Sequence, residues 1–209
     1  MKTLKEQLNE SLLDNEKNLI SNVKGDVIAR SIYEKLINQE TLEQSELSWM
    51  DNNVSVLEVN IQQLKKLLSK LHKKYYNISL NWLNVSKITD MSELFKDSKF
   101  NGDISKWDVS NVGYMNGMFK GAKEFNCDIS EWDVSNVEYM NGMFKGATKF
   151  NQDISGWNVS NVVDMSEMFM DAFGFKQDIS NWNVSNVMSK QWVFLNSGCK
   201  LKNRPKFKV

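Results

Sequence analysis

DISKWDVSNVGYMNGMFKGAKEFN (residues 103–126) recurs almost unchanged as DISEWDVSNVEYMNGMFKGATKFN (residues 128–151). Both stretches belong to a series of units that are each marked by one tryptophan, at intervals of 25 residues: Trp82, Trp107, Trp132, Trp157 and Trp182. A fixed period of this size is typical of repeat architectures. Because one such unit is too small to bury its own apolar face, successive units must stack. The sequence therefore predicts five stacked coils over residues 77–198.

Within a unit, the spacing of the apolar residues predicts two local structures. Ile104, Trp107 and Val109 have the spacing LxxLxL, which in leucine-rich repeats marks a short strand whose alternate side chains enter the core. The apolar residues from Val112 to Phe119 then recur at helical intervals and predict a short helix or 3₁₀ turn on the return side. The predicted fold class is an α/β repeat solenoid: five leucine-rich-repeat-like coils, right-handed, with short parallel strands, preceded by an α-helical N-terminal region.

One asparagine in each regular unit follows the predicted strand: Asn111, Asn136, Asn161 and Asn186. We expect these side chains to form a buried ladder that satisfies backbone groups at the bend, because buried polar groups require hydrogen-bond partners.

The C-terminal end of the repeats breaks the pattern. The position of Met115 in the second unit is taken by Lys190 in the last, as expected for a unit with no successor. We expect Trp192, Phe194 and Leu195 to fold over that end. Residues 199–209 are rich in lysine and are predicted to be an unstructured basic tail.

Residues 1–76 are predicted to be a helical region that caps, docks or oligomerises. Leu4, Leu8 and Leu12 indicate a first amphipathic helix, and apolar periodicity from Asp26 to Gln39 indicates a second, with Asp26 as N-cap. Residues 41–53 are interpreted as a loop with a short helical turn. A third helix carries an apolar seam at coiled-coil spacing: Leu57, Ile61, Leu64, Leu68 and Leu71. That seam is a candidate for self-association or docking; the alternative is that it packs within the chain.

Composition excludes several classes of function. The chain has 26 basic and 26 acidic residues and a formal net charge of zero, which disfavours nucleic acid as a partner. The single histidine, His72, has no partner histidine for a metal site, and there is no Ser/His/Asp set or phosphate-binding loop. No apolar run is long enough to span a bilayer. We therefore expect no enzyme activity, no cofactor, no nucleic acid and no membrane insertion.

The words WDVSNV, YMNGMF and FNQDISGWNVSNVVDMSEMF resemble the 25-residue repeats of BspA-like leucine-rich-repeat surface proteins of bacteria and mycoplasmas, over about residues 78–195. This resemblance implies a repeat solenoid and the binding of host or matrix proteins. The opening MKTLKEQLNESLLDNEKNLI is similar to the starts of small predicted proteins of gut bacteriophages. Since the chain shows no Sec signal and no lipid or cell-wall anchor, the expected location is the cytoplasm or a phage particle rather than the cell surface.

Two surfaces are candidates for protein binding. On the predicted strand face, side chains flanking the inward Trp and Val must point outward: Lys106, Asp108, Glu131, Asp133, Asn158, Asn181 and Asn183. On the predicted turn side, Tyr114 and Tyr139 lie one unit apart and form an aromatic patch of the kind found at interfaces. The alternative is that these are ordinary solvated side chains.

Three other patterns have simpler interpretations. The MxxM pairs, such as Met115 and Met118, suit a soft metal but lie where a core stripe is required. The aspartates at the position of Asp103 suit calcium, or local turn hydrogen bonds. Cys127 occupies a variable position and is predicted to be exposed.

The sequence favours a non-enzymatic module that presents a rigid repeat surface to a protein partner. The alternative is a structural component of a bacteriophage particle or another assembly, docked through the N-terminal helices.

Overall fold

The computed structural model describes residues 27–53, 57–71 and 75–208. Its elements are, in chain order, α1 (Val27–Ile37), α2 (Gln44–Asn52), β1 (Leu57–Glu58), α3 (Ile61–Leu71), β2 (Leu83–Asn84) and a 3₁₀ helix (Leu201–Asn203). The helix predicted around Leu4, Leu8 and Leu12, the predicted cap Asp26 and the histidine His72 lie outside the described residues. None of the helices described is long and apolar enough to cross a membrane.

Helices α1 and α3 pack against each other through apolar stripes. The buried residues of α1 are Ala29, Ile32 and Leu36, which share one face at helical spacing. Between the helices, the Tyr33 hydroxyl donates a hydrogen bond to the Gln63 carbonyl at 3.2 Å.

Helix α2 lies where the sequence predicts mainly a loop. Its N-terminus is fixed by a capping box, in which the Glu46 carboxylate accepts the backbone N–H of Glu43 at 2.9 Å. Met50 is buried, and the ring of Trp49 contacts Trp82 of the first repeat edge-on, with centroids 6.4 Å apart. Three apolar side chains in nine residues are too few to give a clear period, so the cap and the tertiary contacts decide this helix.

Helix α3 begins later than its apolar seam predicts. Asn60 and Gln63 form reciprocal side-chain bonds to each other's backbone N–H, both at 2.9 Å, so the helix starts after Asn60. Leu57 therefore lies on β1 and not on the helix. The rest of the predicted seam, except the half-buried Ile61, is buried within the chain's own core: Leu64, Leu68 and Leu71. This burial favours the alternative that the seam packs within the chain, because its apolar atoms are already covered.

Strands β1 and β2 join the helical region to the repeats. They pair in parallel, with Leu57 opposite Leu83 and Glu58 opposite Asn84. Leu57 donates its N–H to the Trp82 carbonyl at 3.0 Å, and Val59 donates to Asn84 at 3.1 Å. Buried residues of the helices and of the repeats form one continuous apolar cluster.

Residues 77–198 form five layers, which we number one to five: 77–101, 102–126, 127–151, 152–176 and 177–198. In each of layers one to four, four backbone N–H groups donate to carbonyls of the next layer. Between layers two and three, the donors are Met115, Gly117, Phe119 and Gly121, at 2.7–2.9 Å. The same four bonds link the other neighbouring layers. Each layer is therefore held by the one after it, as the repeat period requires.

In layer one a short parallel strand, β2, follows Trp82 as predicted, but the parallel pairing between successive layers occurs at a different place from the one predicted. Single bridges connect Asp90, Tyr114, Tyr139, Asp164 and Ser189 in series. The segment from Trp107 to Val109, where LxxLxL predicts a strand, has no strand pairing. The predicted helix or 3₁₀ turn on the return side is also absent, and residues 116–121 form consecutive turns. The apolar alternation correctly identifies buried side chains, but the backbone pairs between layers several residues later.

The core consists of columns of like side chains. Phe119, Phe144 and Phe169 are fully buried, and their ring centroids are 5.6 Å apart from one layer to the next. The paired methionines of layers two to four are also buried, which agrees with their interpretation as core residues: Met115, Met118, Met140, Met143, Met165 and Met168.

Each layer contains two residues in the left-handed backbone region. In layer two these are Gly117 and Gly121, with φ of 57° and 69°. In layer one the same two positions hold Glu93 and Asp97, with φ of 56° and 55°. A side chain disfavours this conformation, and glycine removes that cost.

We predict that Glu93→Gly raises the free energy of unfolding by about 0.5–1 kcal/mol, because glycine relieves the left-handed backbone. The exposed ion pair that Glu93 makes with Lys96 at 2.7 Å contributes little. The matched control is Glu124→Gly, which also removes an exposed ion pair, with Lys149, but at a residue outside the left-handed set. Urea unfolding followed by circular dichroism should show stabilisation for the first variant and destabilisation for the second. Equal losses for both would contradict the prediction.

The C-terminal tail is ordered, which corrects the prediction of an unstructured end. The Arg204 guanidinium donates to the Cys199 carbonyl from Nε at 3.0 Å and from a terminal nitrogen at 2.7 Å. The Asn203 carbonyl accepts the N–H of Ile179 at 2.9 Å, and Pro205 is buried. The tail therefore packs along layer five instead of extending into solvent.

Candidate protein-binding face

The tryptophan of each layer organises the surface around it. Its ring is buried, and in layers two to five its indole N–H donates to a backbone carbonyl of the preceding layer, as Trp132 does to Ile104 at 3.1 Å. Trp107, Trp157 and Trp182 make the equivalent bond at 2.9–3.1 Å. In layer one, Trp82 donates instead to the Ser79 carbonyl of its own layer at 3.1 Å. With the ring fixed, the residues directly before and after the tryptophan are exposed. These exposed positions contain all seven predicted face residues: Lys106, Asp108, Glu131, Asp133, Asn158, Asn181 and Asn183.

The residue after each tryptophan holds a local turn. The Asp108 carboxylate accepts the Ser110 backbone N–H at 3.1 Å and the Ser110 hydroxyl at 2.6 Å. Hydrogen bonds from the side chain and backbone of Ser135 hold the pKa of Asp133 below its usual value. Asn158 and Asn183 accept the equivalent backbone N–H at 3.2 Å. These four face residues are exposed, but their side chains are already engaged in holding a local turn.

The side chain of the residue before each tryptophan is not engaged in such a turn. Lys106 and Glu131 are exposed and make no side-chain hydrogen bond or ion pair within the described residues. Asn181 differs, because its amide donates to the Ser155 carbonyl at 3.1 Å. The corresponding residue of layer four is Gly156, whose Cβ position is open. One surface position thus presents a cation, an anion, no side chain and an amide in four successive layers.

Lys106 and Glu131 border an open groove between layers two and three. Asp103, Asn126, Cys127 and Asp128 line its floor and walls. The groove is open and is lined mainly by polar and charged side chains, unlike the mostly apolar clefts that hold small molecules.

Cys127 is half-buried, which corrects the prediction that it is exposed. Burial, together with the nearby carboxylates of Asp103 and Asp128, raises the pKa of its thiol to about 11. The sulfur accepts the Ile104 N–H at 3.5 Å. At neutral pH it is therefore a protonated thiol and not a nucleophile.

Tyr114 and Tyr139 form the second candidate surface. Their rings stack at 5.3 Å between centroids with an interplanar angle of 6°, and Tyr114 is 46% exposed. The two residues pair with each other through the parallel bridge. They therefore lie on the backbone ladder and not on a separate turn side, and this backbone pairing explains their stacking.

Two polar ladders hold the exposed edges of the layers. Asn111 donates from its amide to the Ser86 carbonyl at 2.8 Å, and Asn136 donates to Ser110 at 2.7 Å. The predicted bonding is present, but the asparagines are exposed rather than buried. A second ladder, which the sequence analysis missed, runs from Asn101, whose Oδ1 accepts the Asn126 N–H at 2.7 Å. The recurring FN dipeptide is the signal that could have identified it.

The aspartates considered as calcium ligands each accept the N–H of the serine two residues later, at 2.9–3.0 Å: Asp103, Asp128, Asp153 and Asp178. Within the described residues, no group of three or more His, Cys, Asp or Glu side chains is arranged to hold a metal ion.

A family model matches two overlapping segments of the chain, residues 62–165 and 99–205, under the description "Mycoplasma protein of unknown function, DUF285". This repeat family is related to the BspA-like surface repeat proteins, and no similarity to phage proteins is found. Comparison with curated proteins and with solved structures yields no match. Because the two matched segments together extend over more than half of the sequence, the chain belongs to the DUF285 family, a Mycoplasma repeat family of unknown function.

Proposed function

We propose that this chain is a non-enzymatic protein-binding module, built as a five-coil, leucine-rich-repeat-like solenoid that presents a rigid face to a protein partner. The observation that carries the proposal is the position before each tryptophan. There the backbone and the buried ring repeat from layer to layer, while the exposed group changes from Lys106 to Glu131 to Gly156 to Asn181. A constant frame with variable exposed groups is how repeat proteins form binding surfaces.

The solenoid part of the proposal is supported by the bonds between layers. Residues about 25 positions apart are joined by the same backbone bonds, and equivalent aromatic rings stack in columns. A surface fixed in this way loses little conformational entropy on binding, which favours affinity.

Charge on the face would give the binding its specificity. Lys106 and Glu131 are of opposite sign, lie in adjacent layers and border the same groove. Since neither side chain has a hydrogen-bond partner among the described residues, both are available to charged groups of a partner. The turn-forming residues Asp108 and Asp133 contribute shape rather than free charge.

The proposal predicts that a charge exchange on this face abolishes partner capture. The bait is Lys106→Glu combined with Glu131→Lys, which leaves net charge and turn bonds unchanged. The control is Lys87→Glu combined with Glu58→Lys, because the exposed Lys87 and the half-buried Glu58 pair with each other at 3.0 Å and the exchange preserves that pair. Native protein and control should retain the same partner from lysate of the source cells, and the face variant should lose it. Circular dichroism should show all three baits folded.

Once a partner is identified, its affinity should fall at least about tenfold for the face variant. Capture that survives this exchange but is lost in Tyr114→Ser combined with Tyr139→Ser would move the site to the tyrosine stack. Capture unaffected by both pairs would refute the proposed face. Co-sedimentation of the native protein with phage particles, or with another assembly, would instead support the role of an assembly component.

A further inference from the structure

The C-terminal end of the stack is an open hydrogen-bonding edge. In layers one to four, the four N–H groups that donate to the next layer belong to every second residue, as in Met115, Gly117, Phe119 and Gly121 of layer two. In layer five the equivalent donors are Lys190, Trp192, Phe194 and Asn196, and these four N–H groups make no hydrogen bond within the described residues. The carbonyls of layer five are already used by layer four, as Asp171 bonds to Leu195 at 2.8 Å. The edge is therefore rich in donors and needs acceptors.

Trp192 is the unusual residue at this edge. Its side chain is 62% exposed, and its φ of 56° lies in the left-handed region. The equivalent positions of layers two and three hold Gly117 and Gly142, where this conformation is accommodated without a side chain. The left-handed backbone has a conformational cost for a residue with a side chain, and Glu93 and Glu167 of layers one and four also adopt it. At Trp192 this cost is combined with an exposed aromatic ring, which is typical of residues held for binding.

Trp192 belongs to an apolar depression that the ordered tail completes. Its walls include Lys190, Phe194, Leu195, Arg204 and Phe207. Phe194 stacks on Phe169 at 5.7 Å and is covered on one side by the Arg204 guanidinium, 4.8 Å from the ring centroid. The depression is thus formed by fixed side chains and not by a loose end. This arrangement corrects the expectation that Trp192 and Leu195 fold inward as a cap, since Leu195 is 43% exposed.

The charge around this end is predominantly positive, although layer five contains Asp178 and the Asp171 carboxylate of layer four accepts the Asn196 amide at 2.8 Å. From residue 179 to residue 208 the sequence contains no aspartate or glutamate. The same segment contains the basic residues Lys190, Lys200, Lys202, Arg204, Lys206 and Lys208. In a chain of zero net charge, this is a strong local excess of positive charge.

We propose that the C-terminal end of the stack binds an extended acidic peptide segment of a partner protein, which adds as a further layer. Its carbonyl oxygens accept the free N–H groups of the edge, an apolar side chain enters the depression beside Trp192, and its carboxylates face the basic residues. This site is separate from the face around Lys106, so either site can be refuted without the other.

The same observations favour this occupant over two others. A second copy meeting the first end to end would bring two basic surfaces and two rows of N–H donors together, which is unfavourable. A nucleic acid would satisfy the charge and the aromatic ring, but it has no backbone carbonyls at the spacing of a peptide ladder.

The test uses fluorescence anisotropy with the full chain and the fluorescein-labelled peptide EDLEFEDLE. The comparison peptide KKLKFKKLK keeps the apolar residues and reverses the charge. We expect the acidic peptide to bind at least about tenfold more tightly than the basic one. Raising NaCl from about 50 to about 500 mM should weaken that binding. Failure of the acidic peptide to bind, or equal binding of both peptides, would overturn the proposal.

Two variants locate the binding. Trp192→Gly removes the ring and introduces the residue that this backbone favours, so its thermal midpoint should not fall while its affinity for EDLEFEDLE falls at least about tenfold. Lys202→Glu combined with Lys206→Glu should also weaken binding. Lys106→Glu combined with Glu131→Lys, on the separate face, should leave it unchanged. Unchanged affinity in Trp192→Gly would refute the site.

Two further measurements test the other occupants. A fluorescein-labelled single-stranded oligonucleotide with the same net charge as EDLEFEDLE should bind more weakly than the peptide, and tighter binding would assign this end to nucleic acid. We expect sedimentation to show no dimer that depends on Trp192. A dimer that the native chain forms and that Trp192→Gly loses would make a second copy of the chain the occupant of this end.

Discussion

The replacement Phe144→Ala is expected to lower the free energy of unfolding by about 3–5 kcal/mol, because it removes a ring from the middle of the core. Phe144 is fully buried. Its ring stacks on Phe119 and Phe169, both at 5.6 Å, and on Phe150 at 4.0 Å. These neighbours are fixed by their own layers and cannot close the space. Urea unfolding monitored by far-UV circular dichroism measures the loss.

The control for this prediction is Phe173→Ala in layer four. Phe173 is 57% exposed, so its removal is expected to change stability by less than about 1 kcal/mol. The two variants delete the same atoms, and only burial differs between them. Similar losses in both would show that Phe144 does not lie in a packed core, and the layered arrangement would be wrong.

The replacement Gly102→Ala is the second change with a large expected effect. A Cβ atom at Gly102 would lie 1.9 Å from the Ile78 carbonyl oxygen and 2.9 Å from the Ile78 carbonyl carbon. Backbone atoms cannot move aside as a flexible side chain does, so layers one and two must separate locally. We expect a loss of about 2–4 kcal/mol and a lower thermal midpoint.

The matched control is Gly156→Ala. At this position no atom lies within 4 Å of the added Cβ, and φ is not in the left-handed region. The variant should be neutral or slightly stabilised, because alanine restricts the unfolded chain more than glycine does. A thermal melt by circular dichroism compares the two variants directly. If Gly156→Ala lowered the thermal midpoint as much as Gly102→Ala does, the close approach to Ile78 could not be the cause of the loss.

The core residues could be predicted from the sequence because they recur at one fixed interval along the chain. The 25-residue interval places Trp107, Met115, Phe119 and Phe125 at equivalent positions in each regular unit, and all four are buried. Periodicity reports which side chains face inward, but not which backbone groups pair. The interlayer bridge consequently lies at Tyr114, not at the predicted strand near Trp107.

Features that depend on single contacts were harder to predict. Helix α2 depends on the Glu43–Glu46 capping box and on the contact of Trp49 with Trp82. The ordered tail depends on Arg204, whose guanidinium bonds a carbonyl five residues earlier. Neither contact produces a period, and a lysine-rich composition resembles that of a flexible end.

The exposure of the residues around each tryptophan was predictable, but their hydrogen-bonding roles were not. Alternation of buried and exposed residues around each tryptophan correctly identified the exposed positions. It could not separate Asp108, which holds a turn through Ser110, from Lys106, whose side chain is free to interact. That distinction requires the hydrogen bonds of each side chain.

The direction of the bonds between layers has an electrostatic consequence. Between layers two and three, the four N–H groups at Met115, Gly117, Phe119 and Gly121 all point toward the C-terminal end. The carbonyls of Gly113 and Lys123, on either side of this stretch, accept backbone bonds in the reverse direction. Peptide dipoles that are aligned in this way add, as they do along an α-helix. The stack is therefore expected to behave as a dipole with its positive pole at layer five, although the formal charge of the whole chain is zero. In solution, the rod should orient its C-terminal end toward negative charge before any contact forms.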